Sequence, residues 1–184
     1  MDPFAILGLQ RVFSVDLSAV ERTHRELSRT LHPDKFVGAS ASERRASLSK
    51  AVEVNEAWRI VRDPIRRAEA LLSLAGIAVG ERNEPNAAPD FLMEVMDQRE
   101  ALAEARAKND ASAIKKLASE VEVRAKAVEQ SLARGFDGTP RASEEALVAL
   151  VPALGELRFY RRFLEEVGAL QDEMDERSAQ NGAR

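Results

Sequence analysis

The run His32-Pro33-Asp34-Lys35 gathers side chains suited to recognition. An imidazole can donate, accept and pack a flat ring against a neighbour. Pro33 fixes φ and lacks an N–H, so the chain is stiff where it turns. Asp34 offers acceptors only, which suits an arginine on a partner. Arg22, Arg25 and Arg29 come just before it at spacings of three and four, one face of a helix. An ordinary solvated helix face carries arginines at the same spacing. Catalysis finds less to work with. His24 and His32 are the two histidines, and cysteine is absent. Thiolate catalysis, disulfides, cysteine zinc sites and cysteine-held clusters are therefore excluded, and nucleophilic triads have almost no material. No G-x-G-x-x-G, G-K-[ST] or H-E-x-x-H pattern occurs. The 31 Asp and Glu residues could supply the paired carboxylates of a helical hydrolase, but on helices this charged they read as solvated surface.

A second candidate lies at Phe91–Glu100. Phe91, Val95 and Leu102 form one stripe suited to a core. Leu92, Met93 and Met96 lie to its side, more large apolar groups than one buried face uses. Excess apolar area on a flank marks a partner site; the alternative is a helix buried more deeply than usual. Phe159 stands two residues past Leu157, about 200° around a helix from the expected seam, and is expected to be exposed for recognition. His24, on the apolar stripe of its helix, reads as a core-edge histidine.

These residues must be held by helices. The chain has 184 residues, 45% apolar and 32% charged, and more than half of it is Ala, Leu, Glu, Arg and Lys. Asp2 and Pro3 open a short helix over 2–7 that Gly8 ends. Asp16 caps a helix over 17–31, with Leu17, Val20, His24, Leu27 and Leu31 on its apolar face, and Pro33 stops it. Ser40 and Glu43 match a capping box for a helix over 41–62, whose buried side is expected to carry Leu48, Ala51, Asn55, Trp58 and Val61 or Val52. Asp63-Pro64 restarts the pattern, and Gly76 ends it. Residues 77–89 have no sustained period and contain Gly80, Pro85 and Pro89, which makes them the linker. Helices follow over 90–107 and 111–134, the latter with Ile114, Leu117, Val121, Ala125, Val128 and Leu132 as a seam. Gly135 and Gly138 bracket a turn, Thr139-Pro140 starts the last helix, Pro152 and Gly155 interrupt it, and the tail after Asp175 frays.

The predicted architecture is all-α: residues 1–76, a linker over 77–89, and a three-helix bundle over 90–184. The net charge of −4 divides into +2 over residues 1–78 and −6 over 79–184, which fits two pieces with different partners and argues against broad nucleic-acid binding. No run of 18 apolar residues occurs, so no membrane span is expected. The opening Met1-Asp2-Pro3-Phe4 lacks the order of a secretory signal, and the expected location is a reducing, cytoplasmic compartment.

His32-Pro33-Asp34 lies between a basic-faced helix and a longer helix holding Asn55-Glu56-Ala57-Trp58 and closing at Asp63-Pro64. In that frame it resembles a J-domain, the activating module of DnaK-type ATPase chaperones. The resemblance implies a helical hairpin whose His-Pro-Asp loop docks on the ATPase chaperone and accelerates ATP hydrolysis. The docking residues carried over by position are Arg22, Arg25, Arg29, His32, Pro33, Asp34 and Lys35. Glu26 departs from the family by thinning the basic face; His24 and Leu31 replace residues that are commonly aromatic.

The continuation Asp63-Pro64-Ile65-Arg66-Arg67-Ala68-Glu69-Ala70-Leu71-Leu72 resembles the HscB type of J-protein, dedicated to iron–sulfur cluster assembly. Phe91-Leu92-Met93-Glu94, Arg99-Glu100 and Leu157-Arg158-Phe159 match its second domain. The resemblance implies a non-enzymatic co-chaperone without cofactor or metal, with two partners: an HscA-like DnaK-type ATPase and an IscU-like cluster scaffold protein. Leu92, Met93, Met96, Asp97, Arg99, Glu100 and Phe159 would contact the scaffold. Gln98 departs from a position that is commonly apolar. The alternative keeps the J-domain and gives the bundle another client or an oligomerisation role.

Overall fold

A computed structural model describes residues 1–80, 87–138 and 143–182. Its described residues form helices and no strand: α1 (Pro3–Ile6), α2 (Leu17–Thr30), a 3₁₀ turn (Pro33–Phe36), α3 (Ala41–Arg62), α4 (Pro64–Leu74), α5 (Pro89–Ala107), α6 (Ala111–Asp137), α7 (Glu144–Val148) and α8 (Val151–Gly182). The chain divides into two compact units, Met1–Asn83 with Ala133–Val148, and Glu84–Leu132 with Ala149–Arg184.

Local sequence sets the helix starts of the first unit. The Asp2 carboxylate accepts from Phe4 and Ala5 N–H, Asp16 from Ser18 and Ala19, and Asp63 from Ile65 and Arg66. Each cap satisfies amides that the helix leaves without partners. Ser40 and Glu43 form the complete capping box. Phe4, Leu7, Phe13, Val20, Val54, Ala57, Val61, Ile65, Ala68, Leu71 and Leu72 are buried.

The buried side of α3 is turned from the predicted one. Val61 is buried as expected, but its buried companions are Ser47, Val54 and Ala57, whereas Leu48 and Val52 are 58% and 60% exposed. Periodicity gives a stripe but not its rotation. Here rotation is fixed by contacts to α2: Ser47 Oγ donates to Leu31 O at 3.1 Å, and His24 stacks on Trp58 with centroids 5.3 Å apart. His24 Nε2 also lies 2.9 Å from Asn55 Oδ1. His24 is thus the bracket between α2 and α3, while Leu17 at the start of α2 is 44% exposed.

Helix α6 runs through Gly135 to Asp137, past the predicted turn. Its last residues are tied into the first unit. The Asp137 carboxylate accepts Phe13 N–H at 2.6 Å and Ser14 N–H at 2.8 Å. Phe136 stacks on Phe13 at 5.7 Å, and the Arg67 guanidinium lies 4.7 Å from the Phe13 ring centroid. These contacts hold a helical turn that glycine alone disfavours.

The second unit packs α5, α6 up to Leu132, and α8 around Leu102, Ala105, Ile114, Val121, Tyr160, Phe163, Val167 and Leu170. The predicted interruption falls earlier than Pro152: α7 ends at Val148 and α8 begins at Val151, so Pro152 sits in a first turn, where its missing N–H costs nothing. Gly155 is accommodated inside the helix, and α8 continues to Gly182 where fraying was expected. Most of the linker's Gly80–Pro89 part and the predicted start at Thr139-Pro140 lie outside the described residues.

Candidate functional site

The first candidate surface is built where α2 ends. Leu31 N–H still bonds to Leu27 O at 2.9 Å, and Pro33 then occupies the first position of the 3₁₀ turn. His32 precedes it in an extended conformation and caps it: Nδ1 accepts the Asp34 N–H at 3.3 Å, and His32 O accepts the Lys35 N–H at 3.0 Å. When Nδ1 accepts this amide, Nε2 carries the ring hydrogen and is the donor; when the ring is protonated, both nitrogens donate and Nδ1 faces the Asp34 carboxylate. Asp34 Oδ2 lies 3.3 Å from His32 Nδ1, and its side chain is 86% exposed. His32, Pro33, Asp34 and Lys35 are all exposed. A tight local turn therefore presents an imidazole donor and a carboxylate side by side.

Arg22, Arg25 and Arg29 are exposed on α2. Arg25 pairs with Glu21 one turn earlier, so part of its charge is answered within the helix. Sequence reasoning missed Ser47, which ties α3 to the carbonyl just before His32. Nothing in a serine within an alanine- and serine-rich stretch marks that contact.

The second candidate surface lies on α5. Leu92, Met93 and Met96 are 51%, 65% and 70% exposed. Asp97, Arg99 and Glu100 are exposed beside them. Leu92 borders a cavity of about 240 Å³ whose walls include Phe91, Val95, Pro152, Gly155 and Phe159. Met93 and Asp97 line a different groove, toward Leu117 and Arg124 of α6.

Phe159 departs from the expectation of an exposed recognition residue. It is 9% exposed and packs against Phe91, Tyr160 and Phe163 at centroid distances of 5.6, 5.8 and 6.0 Å. Helix α8 is covered on two flanks. Leu157 borders a groove with Ala125 and Glu129 of α6, whereas Phe159 meets Phe91 of α5. A residue about 200° from one seam is therefore on the other. Phe159 is a wall of the cavity beside Leu92, and Arg99 holds its guanidinium 5.9 Å from the Phe159 ring while bonding Glu166 at 3.4 Å.

Behind the exposed face sits a polar hub. Glu94 Oε1 accepts from Tyr160 OH at 2.8 Å, Arg124 Nη1 at 2.8 Å and Gln98 Nε2 at 2.9 Å. Gln98, buried where an apolar residue was expected, is thereby given a partner. Burial, and then the bond to Glu94, push the Tyr160 hydroxyl far above the ordinary tyrosine range, so it remains a donor. Burial and the nearby Glu94 charge raise the Glu156 carboxyl above its usual value. The four-residue spacing of Glu94 and Gln98 is visible in the sequence; the partnership with Arg124 and Tyr160 is not.

The residues around His32 and those around Met93 belong to different units. Among the described residues, no group of three or more His, Asp or Glu side chains could hold a metal ion, and no helix is long and apolar enough to cross a membrane.

Comparison with known proteins gives concordant results. A family model described as the HSCB C-terminal oligomerisation domain matches residues 87–168. The chain is 33% identical to the co-chaperone protein HscB homolog of Paraburkholderia phymatum, over 94% of this chain and 95% of that protein. It is 35% identical to the homolog of Bordetella avium, over 92% and 97%. Among solved structures it is similar to the chaperone HscB from Vibrio cholerae, with TM-score 0.81 and 29% identity over 95% of this chain and 99% of that one. The human co-chaperone protein HscB gives TM-score 0.82 and 26% identity, over 93% and 82%.

Proposed function

This chain belongs to the HscB family of co-chaperones, and from that premise we propose that it couples an iron–sulfur cluster scaffold protein to a DnaK-type ATPase chaperone. In this reading the His32–Lys35 turn, with Arg22, Arg25 and Arg29, docks on an HscA-like chaperone and stimulates its ATPase. The α5 face, Leu92, Met93 and Met96 rimmed by Asp97, Arg99 and Glu100, docks on an IscU-like scaffold, with Phe159 supporting it from beneath.

The observation that carries this reading is the exposure of three large apolar side chains within five residues of one helix. Left in water they lose the stabilisation of burial; covered by a partner they supply an adaptable apolar centre. Holding the scaffold and the chaperone through one chain raises the effective concentration of one at the other. The chain supplies binding surfaces and the ATPase supplies the turnover. The cluster stays on the scaffold until transfer, and the process takes place in the cytoplasm without nucleic acid or membrane.

The description of the matched family model as an oligomerisation domain supports a second reading, in which the α5 face pairs two copies of this chain. Titration of purified scaffold into the full chain, with sedimentation of each alone, separates the two. The first reading predicts a one-to-one complex that Leu92→Ala with Met96→Ser weakens by about tenfold or more. Loss of self-association in that variant, with no scaffold complex for the parent, would favour the second.

A further inference from the structure

The α5 face carries a chemical feature that docking alone does not use. Two of its three apolar centres are thioethers, Met93 and Met96, three residues apart on one helix and 65% and 70% exposed. The chain has no cysteine and four methionines, so no thiol competes for oxidant within it. Of the other two methionines, Met1 is 66% exposed and belongs to the first unit. Met174 packs against the bundle core.

We propose that Met93 and Met96 form a reversible oxidation site that weakens scaffold docking when peroxide is present. The proposal rests on the scaffold-docking reading of this face. In the step, a thioether sulfur attacks one oxygen of hydrogen peroxide. The S–O bond forms as the O–O bond breaks; sulfur loses two electrons to become the sulfoxide, and the proton still carried by the transferred oxygen passes to the departing hydroxide, which leaves as water. The product is polar where the thioether was apolar, and its S=O acceptor must be desolvated for the partner to close over it. Neighbouring Leu92 cannot be oxidised in this way, so the face loses two of its three apolar centres and keeps one. Methionine sulfoxide reductases return the sulfoxides to thioethers, which makes the change a switch. The residues around the pair do not shield it, since Asp97 and Glu100 are themselves exposed.

The experiment uses the full chain. Protein is treated with hydrogen peroxide, the oxidant is removed, and sulfoxides are assigned by peptide mass. Affinity for purified scaffold is then measured for treated and untreated samples of the parent and of a Met93→Leu, Met96→Leu variant. Comparing each protein with its own untreated sample cancels any effect of the leucines themselves. The parent is expected to lose affinity by about tenfold or more on oxidation and to regain it after reductase treatment. The leucine variant is expected to keep its untreated affinity while Met1 still takes up oxygen, a sign that the oxidant reached both samples equally. Unchanged affinity in a parent carrying both sulfoxides would overturn the proposal, as would an equal loss in the leucine variant. If untreated parent binds no scaffold, the docking reading itself fails, and the switch falls with it.

Discussion

The two candidate surfaces of this chain are built by different physical means. The His32–Asp34 turn is small, polar and largely locally determined: one ring nitrogen accepts an amide two residues on, proline fixes the approach, and Ser47 of α3 holds the carbonyl just before it. The α5 face is broad, apolar and remotely determined. Its exposed residues project from a helix whose rotation is fixed by Glu94, bonded to α6 and α8 through Arg124 and Tyr160. A polar turn can therefore be disabled by one atom, whereas an apolar face yields by degrees as area is removed.

Substitutions can sharpen or break that contrast. The largest effect is expected from Phe159→Ala, which removes a buried ring from the bundle core. It should cost about 3–5 kcal/mol of stability, read as a lowered denaturation midpoint, because Phe159 is a wall before it is a contact. A midpoint unchanged from the parent would return Phe159 to the role of an exposed recognition residue. Next comes Leu92→Ala with Met96→Ala. Scaffold affinity should fall by about 2 kcal/mol, roughly thirtyfold, with thermal stability little changed since both side chains are more than half exposed. Calorimetric titration and a melting curve on the same sample check both halves.

Ser47→Ala removes the bond to the Leu31 carbonyl. It should lower stability by about 1 kcal/mol and also reduce ATPase stimulation, because the carbonyl it holds immediately precedes the turn proposed to dock on the chaperone. Stimulation left at the parental level would show that the turn needs no support from α3. The smallest effect is expected from Glu156→Gln. Burial, then the nearby Glu94 charge, raise the folded pKa of Glu156 above the ordinary glutamate range. The charged form is thus penalised in the folded state at neutral pH, and the penalty disappears as pH falls through that raised value toward the unfolded one. The variant should be slightly more stable than the parent near neutrality and equal to it in acid. Parallel melts across that range test the sign.

Much of the fold was legible in the sequence because its signals are local. Asp2, Asp16, Ser40 and Asp63 each act on amides two or three residues away, so a cap, a proline and a stripe suffice to place α1 to α4. What escaped was set at long range. Gly135 stays helical because Asp137 and Phe136 reach Phe13 and Ser14, more than a hundred residues away. The rotation of α3, which leaves Leu48 and Val52 outside, depends on Ser47 and Trp58 meeting α2. At the site the same division holds. The exposed Leu92, Met93 and Met96 could be read from an excess of apolar groups on one helix. Phe159 could not, because a helix covered on two flanks has two seams and periodicity shows only the stronger. Gln98 looked out of place until Glu94 gave it a partner.

The central claim is that this chain brings a scaffold to an ATPase through one turn and one helix face. Its most direct test is single-turnover ATP hydrolysis by the partner DnaK-type chaperone, measured with the scaffold present and with either the parent chain or His32→Gln. The parent should accelerate hydrolysis, and the scaffold should accelerate it further. His32→Gln, an exposed change outside either core, should abolish the acceleration while scaffold binding and the melting temperature stay at the parental level. Equal stimulation by parent and variant would contradict the account.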